Sequence, residues 1–93
     1  MTLLVSLCYN GFMAGYHIRK IQKGVFGESS KIQEELSELI DAELQGCRIM
    51  ALMEASDLYG ALEAWAIENG TNMVEIRIMS HITKRAFESG ERE

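Results

Sequence analysis

The chain contains no proline. Nothing therefore forces a helix to stop or kink from within, and glycine is left to divide the chain. The glycines at 46, 70 and 90 cut the region after Gly27 into three segments of helical length. The first, Ser29–Gln45, opens on Ser29 and Ser30 as capping candidates, with acids in its early turns. Its apolar residues Ile32, Leu36, Leu39, Ile40 and Leu44 recur at helical spacing. The second, about Cys47–Glu68, carries Ile49, Leu52, Met53, Leu58, Leu62 and Trp65 and stops at Asn69-Gly70. The third, about Asn72–Ser89, begins at a Thr71 or Asn72 cap, with Met73, Ile76, Met79, Ile82 and Ala86 as its stripe. The expected fold class is all-α. The first 25 or so residues stay open between helix and strand, because short apolar runs such as Leu3-Leu4-Val5 fit either.

At 93 residues the chain suits one domain, taken as 1–93. So short a chain buries a modest share of its surface, and a second copy would supply core that one copy lacks. The net charge of −5 argues against binding a nucleic-acid polymer, whose phosphates attract basic surfaces. It leaves room for a phosphate ligand, since a bound divalent cation reverses the local sign. One bridge could be drawn between Cys8 and Cys47, but they form no C-x-x-C pair or dense framework and read as two reduced thiols. The opening run lacks the basic stretch and small-residue cleavage site of a secretory signal, and Met1–Tyr16 is too short and too interrupted to span a bilayer. The expected location is cytoplasmic, with no membrane partner.

Two acidic motifs stand out: Glu34-Glu35-Leu36-Ser37-Glu38 and Glu54-Ala55-Ser56-Asp57. Each places two acids three apart, which on a helix share a face. If Gly46 turns a helical hairpin, Glu38 and Glu54 each lie eight residues from it, and Glu35 and Asp57 each lie eleven. Equal offsets mean equal heights in an antiparallel pair, so the four acids occupy a band about 14 Å from the turn. Helices packed about 8–10 Å apart can then bring the four together, provided their faces turn inward. Acids three apart are also common on solvated helix faces, and either motif alone would suit that reading. Four clustered carboxylates raise one another's pKa or recruit cations. An all-oxygen donor set favours a hard cation, Mg²⁺ with Mn²⁺ as the alternative, and such ions join protein carboxylates to substrate phosphates. A di-iron bundle would need Glu-x-x-His, and neither His17 nor His81 follows a glutamate at that interval.

The pattern Glu34-Glu35-x-x-Glu38, fifteen residues, Glu54-x-x-Asp57 resembles the signature of the all-α nucleotide pyrophosphohydrolases of the MazG-like kind. Ser30-Lys31-Ile32 before the first motif, Asp57-Leu58-Tyr59-Gly60-Ala61 after the second, and the tail Thr83-Lys84-Arg85-Ala86-Phe87 with Gly90 and Arg92 resemble short phage and bacterial members. The resemblance covers about residues 16–92, and residues 1–15 match nothing in it. It implies a helical bundle completed by homo-oligomerisation, as dimer or tetramer. It implies hydrolysis of a nucleoside triphosphate to the monophosphate and pyrophosphate. It assigns Glu35, Glu38, Glu54 and Asp57 to Mg²⁺, and Glu34, Glu35 and Glu38 to the catalytic group, with Glu34 supporting or orienting water. Lys31, Lys84, Arg85 and Arg92 would contact substrate phosphate or sugar. Each also has a structural reading: Lys31 sits one turn before Glu35, and the other three lie near a helix C-terminus that favours cations. Trp65 and Tyr59 fit core or subunit interface better than base stacking. His81 reads as an exposed helix residue, and His17 carries no assignment. The competing functional class is a non-catalytic helical module for oligomerisation or nucleotide sensing.

Overall fold

A computed structural model describes residues 17–90. Within them the chain is all-α, with no strand: α1 spans Ser29–Leu44, α2 spans Arg48–Glu68 and α3 spans Met73–Ser89. The N-terminal expectations for residues 1–16, and Arg92, lie outside the described residues. The segment 17–28 is extended chain and turn leading into α1.

Glycine sets the helix ends as the sequence indicates. Gly46, Gly70 and Gly90 all have positive φ, at 72°, 77° and 83°. Asn72 caps α3, its side-chain oxygen accepting from Glu75 N at 2.9 Å. The expected serine cap of α1 is absent: Glu28 holds the cap position without a side-chain bond. Ser30 Oγ instead accepts from Val25 N at 3.0 Å and ties down the preceding turn. Cys47 caps α2 through its sulfur, which accepts from Met50 N at 3.4 Å. Cys47 is disulfide-bonded, contrary to the expectation of a reduced thiol, and the argument for a reducing compartment loses that support. Cys8 lies outside the described residues.

Helices α1 and α2 form the hairpin about Gly46 and make the one extensive helix–helix packing among the described residues. Its apolar core is small, with Ala42, Cys47 and Met50 buried near the turn and Ile49 and Ala51 packed against them. Ala61 and Ala66 are buried farther along α2. The buried residues of α1 are Glu34, Glu35, Glu38, Asp41 and Ala42. Its inward face is therefore acidic, while Leu36, Ile40 and Leu44 of the apolar stripe are exposed, Leu44 by 70%. Helix α3 buries no residue, and its Met79 is 65% exposed. No helix among the described residues is long and apolar enough to cross a membrane.

Candidate metal centre

The hairpin brings Glu35 and Glu38 of α1 against Glu54 and Asp57 of α2. One ligand atom from each of the four lies within 4.8 Å of the others. Gly46 and the equal offsets account for the height; the inward turn of both faces accounts for the convergence. Glu54 is only 1% exposed, and neither of its oxygens has a hydrogen-bond partner; Glu35 Oε2 is likewise buried without one. Burial of an ionised carboxylate without a donor is costly, so this face requires protons or cations to be stable.

The electrostatics agree. Burial, then the neighbouring Glu54 and Glu35, pushes the Glu38 carboxyl up to about 8. Asp57, at the exposed rim, is raised by partial desolvation and by the charges of Glu35 and Glu54, against the opposing charge of Lys31. Lys31 Nζ sits 3.0 Å from Glu35 Oε1 and 3.2 Å from Glu34 Oε2, and its pKa is raised chiefly by the bond to Glu35. The same-helix ion pair expected for Lys31 is thus present, and it sets an ammonium beside the carboxylates.

Glu34 is engaged elsewhere. Its Oε1 accepts from Gly24 N at 2.7 Å, and its Oε2 faces Lys31 and, at 3.6 Å, Lys23. The Gly24 bond is the main reason its pKa is lowered, against the effect of burial. Glu34 therefore anchors the segment before α1, and it is not one of the four converging acids. Lys84 pairs with Glu88 at 3.9 Å on exposed α3, and Arg85 is exposed there too. Among the described residues neither forms an ion pair with the four carboxylates.

Two participants carry no motif. Asp41, 1% exposed, accepts from His17 Nδ1 at 2.9 Å, Gln45 Nε2 at 2.8 Å, Ile18 N at 3.1 Å and Arg19 N at 3.3 Å. Burial alone would raise its pKa, but these donors outweigh it and the net shift is downward. They pin the extended segment against α1 and bring His17 to the edge of the carboxylates. His17 Nε2 lies 3.7 Å from Glu54 Oε1 and 3.8 Å from Glu38 Oε2. The sequence holds one usable signal for Asp41: it falls one turn beyond Glu38 on the same face. His17 sits in a segment without periodicity and gives none. The arrangement as a whole could hold a metal ion. No known protein family, curated protein or solved structure matches the chain.

Proposed function

We propose that the chain is a Mg²⁺-dependent nucleoside triphosphate pyrophosphohydrolase of the MazG-like kind, cleaving a ribo- or deoxyribonucleoside triphosphate to its monophosphate and pyrophosphate. The observation that carries this reading is the convergence of Glu35, Glu38, Glu54 and Asp57, with Glu54 buried and unpartnered. An all-oxygen set of this kind suits Mg²⁺, with Mn²⁺ the alternative. The sequence pattern around these residues resembles the MazG-like signature, which supplies the substrate class.

In this reading Glu35, Glu38, Glu54 and Asp57 hold the cation, which when bound neutralises phosphate charge and lowers the pKa of water. Lys31, already against Glu35, stands ready to exchange that partner for a phosphate oxygen. Glu35 and Glu38 would take up the proton of the attacking water. Glu34 contributes by holding the segment at Gly24 in place. Lys84 and Arg85 would meet the substrate only where assembly brings an α3 to the carboxylates; Arg92, expected to act with them, lies outside the described residues. That assembly is a homo-oligomer, with no nucleic-acid polymer and no membrane as partner.

The test is a panel of ribo- and deoxyribonucleoside triphosphates with Mg²⁺, reading pyrophosphate. Turnover of at least one, lost by more than about 100-fold in Glu38→Ala and Asp57→Ala with helix content unchanged, is the expected result. Full activity in both variants overturns the site. Calorimetric binding of a nucleotide without product favours the alternative, a nucleotide-sensing or oligomerising module.

A further inference from the structure

We infer that the chain carries a second cation position beside the first, made by His17 Nε2 with Glu38 and Glu54, which takes a borderline divalent transition metal such as Co²⁺ or Zn²⁺. It rests on the reading of the four carboxylates as a cation site, and shares Glu38 and Glu54 with it.

The first support is distance. His17, Glu38 and Glu54 each offer a ligand atom, all within 4.8 Å of one another. The two gaps from His17 Nε2, 3.7 and 3.8 Å, fall within the roughly 3.0–4.2 Å that separates donors around a cation held by ~2.1 Å bonds.

The second is orientation. Metal-binding histidines hand one ring N–H to a carboxylate, which fixes the tautomer and turns the second nitrogen to the metal. Here Asp41 does this at 2.9 Å, and Asp41 is itself locked by three further donors.

The third is the buried acceptor. Glu54 is nine-tenths buried and more, both its oxygens lack a partner, and it belongs to both groups. One oxygen can serve each position. With all four carboxylates ionised, as cation binding requires, the single ammonium of Lys31 leaves about three negative charges in excess, which one divalent ion does not offset and two do. An imidazole nitrogen changes the selectivity: Mg²⁺ prefers oxygen alone, whereas nitrogen–oxygen sets suit the later divalent metals. Paired cations bridged by shared carboxylates also form the usual clamp on phosphoryl oxygens.

The experiment titrates the chelator-stripped full chain, and its His17→Ala variant, with Mg²⁺ and separately with Co²⁺, reading stoichiometry by calorimetry and circular dichroism for fold. The expected result is two Co²⁺ per chain in the parent and one in the variant, with Mg²⁺ binding retained in both. One Co²⁺ per chain in both overturns the second position and leaves the first standing. No binding of either ion overturns both. Should His17→Ala fail to fold, ¹⁵N-histidine spectra of the parent with Zn²⁺ decide the matter, since the chain has only two histidines. A large shift of His17 Nε2 with His81 unmoved supports the assignment. An unmoved His17 with Zn²⁺ bound overturns it, and assigns the imidazole to ion pairing with Glu38 and Glu54 instead.

Discussion

Neither oxygen of Glu54 has a donor, and the neighbours of that carboxylate are Glu35, Glu38, Asp57 and His17. Without cations the side chain therefore costs stability, and with them it contributes affinity. Glu54→Gln separates the two. Removing the charge relieves repulsion, and the amide supplies a donor to the adjacent acids. In metal-free buffer the variant should melt several degrees above the parent, equivalent to about 1–2 kcal/mol. It should gain little on adding Mg²⁺, whereas the parent gains strongly. Paired melts with chelator and with excess Mg²⁺ measure both. A variant less stable than the parent without metal would show that Glu54 is not under electrostatic strain.

Glu38 gives the pH counterpart. Its folded pKa of about 8 lies above the ordinary 4.5, so the folded chain binds a proton there that the unfolded chain releases. That contribution is present in full below about pH 4.5 and is lost as pH rises toward 8. Asp41 and Glu34 are shifted downward, so their contribution is present above the ordinary carboxylate range and is lost on acidification. Metal-free stability should peak near pH 5 and fall by on the order of 2–4 kcal/mol toward pH 8. Saturating Mg²⁺ should flatten the fall, because the cation replaces the proton. Denaturant melts at pH 5, 6.5 and 8 check this; a flat metal-free profile would contradict the burial of Glu38.

At the scale of elements, two glycines do different work. Gly46 has φ +72° with open space around the missing Cβ, so alanine there meets backbone strain alone. Gly24 has no such φ, yet a Cβ on it would overlap the carbonyl of Ser30 in the first turn of α1. It is also the donor to Glu34. Gly46→Ala should cost about 1 kcal/mol and leave cation binding unchanged. Gly24→Ala should cost more, about 2–3 kcal/mol, since the segment must lift from α1 and loosen its hold on Glu34. Equilibrium unfolding of the two variants ranks them, and equal losses would mean the close approach is relieved elsewhere. The hairpin itself was legible in the sequence, because offsets from Gly46 fix heights without knowledge of packing. What periodicity cannot say is which face of a helix points inward. On α1 the apolar stripe of Leu36, Ile40 and Leu44 was the obvious candidate for burial, and the structure turns the acids in instead. His17 was out of reach for a different reason. Its position depends on bonds to Asp41 across 22 to 24 residues, which leave no local pattern.

At the scale of the molecule, the hydrophobic effect is left unfinished. Leu44, Leu52, Val74, Ile78, Met79 and Ile82 are all exposed, and α3 buries nothing. A chain whose hairpin interior is given over to carboxylates must find apolar burial on its outside, and a second copy offers the same outside faces in return. Self-association through α3 follows as the expected state. Ile78 and Ile82 are one turn apart on α3. Both are exposed in the single chain, so changing both to aspartate should disturb a monomer by less than about 1 kcal/mol. In an oligomer it should instead bury charge at an interface, dissociate the assembly and lower the melting temperature by more than 5–10 °C. Light scattering coupled to size exclusion, run over a hundredfold range of concentration, reads the first effect, and thermal melts read the second. A parent chain that stays monomeric throughout, with a double variant of equal stability, would mean that α3 stands free and that its cations never reach the carboxylates of another copy.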